Sequence, residues 1–108
     1  MTLTISDEIK GRWPETALGV LVYQAQVEES SPQRLEALRQ AADQLAQTYA
    51  LDTIAKNPHI AATRQAYKAL GTSPHEHRNA AEAMLRRVVK GSGLYHINNV
   101  VEVNNLIS

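Results

Sequence analysis

The residues whose types and spacing suit chemistry lie in the second half of the chain. Gly91-Ser92-Gly93 follows the basic positions Arg86, Arg87 and Lys90. Glycines let a backbone approach a ligand and offer unobstructed N–H groups to a phosphate. The spacing matches neither a phosphate-binding loop nor a dinucleotide fingerprint. A helix ending here also turns its negative dipole end toward the site, so a plain helix stop is the better reading. His75-x-His77, with His59 and His96, carries metal-ligand chemistry. Two histidines two apart do not share a helix face, however, and no carboxylate cluster completes a ligand set. No metal or other cofactor is expected. Arg64 sits one helical turn from both Ile60 and Tyr67 on an apolar stripe. Its guanidinium either snorkels to water or a carboxylate, the favoured reading, or points into a binding groove. No Ser-His-Asp order or nucleophile elbow is visible, and the absence of cysteine removes thiol nucleophiles, disulfides and thiolate metal sites.

Helices must position these groups. Ser6 caps a brief helix through Arg12, which Trp13-Pro14 ends. Ser31 and Pro32 open a helix to Tyr49 with Leu35, Leu38, Ala42, Leu45 and Tyr49 at helical spacing. Asn57-Pro58 starts another that stops at Gly71. Asn79, with Glu82 three residues on, resembles a capping box, and Ala81, Met84, Leu85, Val88 and Val89 form the stripe behind it. Asn98 caps a last helix carrying Val101, Val103, Leu106 and Ile107, although Val100–Val103 has strand propensity as well. Two segments read as strands. Thr2–Ile5 is short. Ala17–Val27 has Leu18, Val20 and Val22 on one face and Gly19, Leu21 and Tyr23 on the other, which predicts a buried central strand covered on both sides. The fold class expected from these elements is α+β: helix-rich, with a short central sheet.

Composition bounds the functions. The 108 residues suffice for one domain, and 44% apolar content fits a folded one with a thin core. No signal peptide is visible, and no apolar run approaches the roughly 20 residues needed to cross a bilayer. No membrane partner is therefore expected, and the cytoplasm is the default location. Net charge is zero, yet residues 1–55 hold four basic and eight acidic side chains, while residues 56–108 hold seven basic and three acidic. An anionic partner for the second half would use this asymmetry, but on charge alone ordinary solvated helix faces are the favoured reading.

Several motifs in one order go further. Arg64-x-x-Tyr67-x-x-Leu70-Gly71-x-x-Pro74, then Arg78, Glu82–Val88, Lys90-Gly91-x-Gly93-Leu94 and Ile97–Asn105 resemble the B3/B4 family, the editing domain of the phenylalanyl-tRNA synthetase β subunit and its freestanding relatives. The resemblance is strong from about Asn57 to Ser108 and is one of layout from Ile5 to Ala50. The chain departs from the family pattern at Glu102 (aspartate), Asn104 (threonine), Ala80 (serine) and Tyr95 (proline).

The resemblance implies the N-terminal half of a B3/B4-like domain, truncated at its C-terminus. It implies tRNA or aminoacyl-tRNA as partner and, in a full-length protein, deacylation of mischarged tRNA. By position, Asn104 and Asn105 take the amino-acid pocket. Arg64, Arg78, Arg86, Arg87 and Lys90 are the RNA-binding candidates, the last four expected on one exposed positive surface. No catalytic residue is assigned, because the family's editing histidine and glutamate fall after Ser108. The apolar stripe of the last helix is expected to meet the missing half or another copy of the chain. The competing readings are a non-catalytic RNA-binding module, or a small-molecule or protein-binding domain that lost tRNA.

Overall fold

The computed structural model describes Thr2–Ser108 and is built from helices alone. α1 spans Asp7–Arg12, α2 Pro32–Thr48, α3 Pro58–Ala69, α4 Ala80–Val89 and α5 Asn99–Ile107, with a 3-10 turn at Ile54–Lys56. Each α-helix begins at a side-chain cap. The Ser6 hydroxyl accepts from the Ile9 N–H, Ser31 from Arg34, Asn57 from His59 and Ile60, Asn79 from Ala81, and Asn98 from Val101. These oxygens satisfy donors that the first turn leaves orphaned. Pro32 and Pro58 follow their caps, where a missing N–H costs nothing. α3 and α4 stop at Gly71 and Gly91, whose positive φ values of 83° and 76° favour glycine. The following N–H groups of Thr72 and Ser92 return to the carbonyls of Tyr67 and Arg87, closing both ends.

α2 packs across α4 and α5, while the 3-10 turn docks against α3 and α4. The apolar core at the centre is small: Leu38, Ile54, Leu85 and Val88 are buried. Two carboxylates, Glu82 and Glu102, are buried as deeply as Ile54, with about 1% exposure each. Part of the core is thus electrostatic.

The expected central sheet is absent. No β-strand occurs among the described residues, and the chain is not α+β in this structure. Thr2–Ile5 is irregular. Ala17–Val27 also lacks regular structure and is exposed along its whole length, with Leu21 83% and Val22 72% accessible. The physical reason is pairing. A strand needs a neighbour for its N–H and C=O groups, and β propensity supplies none. The other valine-rich run, Val100–Val103, is helical behind its Asn98 cap and is not free to pair.

Candidate functional site

An open cavity of about 330 Å³ lies among α2, α3, α4 and α5. Leu38, Leu45, Ile60, Met84, Leu85 and Leu106 make its wall mainly apolar. Its polar groups include Asn57, His59, Thr63, Asn79 and Asn105. The helix caps place two of these. Asn57 uses its side-chain oxygen to cap α3 and donates its amide, at 2.9 Å, to the Tyr49 hydroxyl that also lines the cavity. Asn79 caps α4 with its oxygen. An apolar chamber with a few convergent polar groups suits a small organic side chain.

A second open groove, of about 560 Å³, runs between α2 and the Gly91–His96 segment. Its charged groups Glu36 and Asp43 are already held by Arg39 on the same helix, with the Arg39–Asp43 contact at 2.7 Å. These are exposed one-turn pairs of the kind that adds little stability. They leave this groove with less unengaged polarity than the first.

Beside the first cavity, Glu82 gathers two arginines from two helices. Arg64 Nε donates to both Glu82 oxygens, at 3.1 and 3.2 Å, and Arg64 Nη2 joins Oε1 as well. Arg86, one turn along α4, donates from Nε at 3.2 Å, with Nη2 at 3.1 Å. The Arg64 guanidinium holds the Glu82 carboxyl below its ordinary range against the opposing effect of burial, and Arg86 helps. Glu82 in turn holds Arg64 more firmly protonated. The triad ties α3 to α4, and it takes Glu82 away from the capping-box geometry that its position beside Asn79 suggests.

Glu102 organises the start of α5 in the same manner. It accepts from the backbone N–H groups of Ile97, at 3.2 Å, and Asn98, at 3.1 Å, and from the Ser30 hydroxyl at 3.1 Å. Burial alone would raise its pKa. The Ile97 N–H, the Ser30 hydroxyl and the Asn98 N–H together reverse that and lower it. Its only sequence signal is a charged residue inside a valine run, at a position noted solely as a family departure.

The sequence-selected residues therefore divide. Arg64 and Arg86 are half-buried and engaged by Glu82. The snorkel to a carboxylate is the outcome for Arg64. Arg87 lies over the Tyr95 ring, 4.6 Å from its centroid, and donates from Nε to the Gly93 carbonyl at 2.9 Å. Arg78 and Lys90 are exposed and form no ion pair among the described residues. Arg78, Arg86, Arg87 and Lys90, expected on one positive face, are thus differently engaged, with Arg86 turned inward. Asn105 lines the cavity, whereas Asn104 is exposed and outside it. His59, His75, His77 and His96 are all exposed, and among the described residues no three His, Asp or Glu side chains converge as ligands. Among the described residues, no helix is long and apolar enough to cross a membrane. No family model matches the chain, and neither a curated protein nor a solved structure matches it.

Proposed function

We propose that the chain binds the aminoacylated 3′ end of a tRNA, as the resemblance of its second half to B3/B4 editing domains implies. The observation that carries this reading is the place of Asn105. It is one of two residues that the resemblance assigns to the amino-acid pocket, and it lines the apolar cavity. An aminoacyl side chain of branched or aromatic type would fill the cavity. Asn105 offers its α-ammonium or ester an amide oxygen and two N–H donors. Arg78 adjoins the cavity residue Asn79 in sequence and has no carboxylate to hold it, so it is the cation placed for phosphate. Lys90 is the other free candidate. Arg64 and Arg86 keep the helices together.

Ester hydrolysis needs a positioned water and donors for the developing oxyanion. The 108-residue chain is expected to bind without deacylating, because positioned groups are what make such a reaction fast.

The test compares tyrosine-charged and uncharged phenylalanine tRNA in a filter-binding titration over a range of salt. Expected results are tighter binding of the charged form, loss of that preference in Asn105→Ala, and a salt slope about one unit flatter in Arg78→Ala. Equal affinity for both tRNAs, unaffected by Asn105→Ala, would overturn the pocket. A parallel deacylation assay decides catalysis: release of tyrosine well above the solvent rate would show that this chain carries its own catalytic group.

A further inference from the structure

The chain exposes far more surface than a self-contained fold of its mass. Its accessible area is 8133 Å², where a folded monomer of this mass exposes about 6,000 Å². Its radius of gyration is 16.1 Å, where about 13 Å is usual for this length. The excess is roughly 2,000 Å², larger than the roughly 800 Å² that each partner contributes to a standard stable interface.

Much of it comes from one stretch. From Thr16 to Val27 there is no charged residue, and Leu18, Val20, Leu21, Val22, Tyr23 and Val27 are all more than half exposed. Among the described residues, the backbone N–H and C=O groups of Ala17–Ala25 make no hydrogen bond. Yet the stretch is anchored at both ends. The Thr16 N–H donates to the Trp13 carbonyl at 3.1 Å. At the other end Asn99 behaves like one residue of a neighbouring strand. Its backbone N–H donates to the Glu28 carbonyl at 2.8 Å, its side-chain oxygen accepts from the Glu28 N–H at 3.0 Å, and its amide donates to the Gln26 carbonyl at 2.9 Å. An anchored, uncharged, β-prone segment with both backbone edges open is a template for strand addition.

We propose that this protein self-associates by antiparallel pairing of Ala17–Val27 with the same segment of a second copy. An isologous contact makes one patch serve both sides, and one edge of the segment from each chain joins two copies. Pairing centred on Leu21 sets Val20 against Val22 and Gly19 against Tyr23. This register pairs residues 17–25 of the two chains, a stretch without a charged side chain, so no like charges stand directly opposite each other within it. Each chain hides the apolar surface that its own helices leave open.

Sedimentation equilibrium of the 108-residue chain, with amide I infrared spectra over the same concentrations, tests this. Dimer formation with a rising antiparallel β band is the expected result. Val22→Pro removes a ladder donor from each chain and should weaken association at least about tenfold. Far-ultraviolet helix content should be unchanged, because position 22 lies outside every helix. Ser substitution of Ile107, the most exposed apolar residue of α5, should leave association unaltered. A monomer at every concentration, or association lost in Ile107→Ser and retained in Val22→Pro, would overturn the proposal.

Discussion

Replacing Glu82 by glutamine keeps the side chain's shape and removes its charge. In the native protein this carboxylate faces two guanidiniums, from Arg64 on α3 and Arg86 on α4. Their side chains are 16% and 17% exposed, while that of Glu82 is 2% exposed. The substitution therefore leaves two cations side by side with little water. Breaking a buried pair on one side costs about 3–5 kcal/mol, and the residual hydration of the arginines places this site near about 3. Against a total stability of about 5–15 kcal/mol that loss is large. Urea titration followed by circular dichroism should show the midpoint falling by about 2 M. The pH dependence has a definite sign. The Glu82 pKa is lower in the folded chain than in the unfolded one, so its contribution is complete above the unfolded value and is lost as pH falls through the folded value. Native stability should thus drop on acidification below about pH 4.3, the unfolded carboxylate value. The glutamine variant should lack this part of the drop. Should Glu82→Gln fail to fold, Arg64→Met and Arg86→Met combined with Glu82→Leu supply a second reading, since an apolar replacement of a whole buried ionic group is often tolerated. A glutamine variant within about 0.5 kcal/mol of the parent, the range of an ordinary surface change, and with the same acid limb, would refute the role assigned to the triad.

Three further perturbations test the helix ends and the second buried carboxylate. Asn98→Ala removes the oxygen that holds the Val101 N–H at 2.9 Å and should cost about 1 kcal/mol in urea unfolding, with helix content lost from α5 first. Gly91→Ala forces a Cβ into a residue at φ 76° and should cost about 1–2 kcal/mol, measured the same way, with no clash to relieve because open space surrounds it. Glu102 is also held below its ordinary pKa, so Glu102→Gln should flatten the acid limb of stability, and the Glu82→Gln/Glu102→Gln pair should flatten it further than either alone.

The helices were legible because their signals are local. Ser31-Pro32, Asn57-Pro58 and Asn79 each mark a start within one turn, and Gly71 and Gly91 mark stops through a backbone conformation that glycine adopts most easily. The sheet was not decidable in this way. Ala17–Val27 carries every local mark of a strand, but strand formation is a property of two segments, and the chain offers no second one in register. Val100–Val103 shows the same competition resolved the other way: helix capping by Asn98 and the turn-spaced carboxylate of Glu102 outweigh β-branched propensity.

The site followed the same division. Asn57 and Asn79 stand at the cavity because they are caps, and their caps are readable from sequence. The partnership of Arg64 with Glu82 spans 18 residues, and only the packing of α3 near α4 reveals it. That partnership alters the meaning of the basic half. Seven basic and three acidic residues suggest a positive surface, yet two of the three carboxylates, Glu82 and Glu102, are buried, and Glu82 engages both Arg64 and Arg86. Of the RNA-binding candidates, Arg78, next in sequence to the cavity residue Asn79, and Lys90 at the end of α4 are exposed without an ion pair among the described residues, as are Lys56 and Lys68. A ligand that uses the cavity must therefore gain much of its affinity from the apolar wall and the asparagines, with charge serving to orient it.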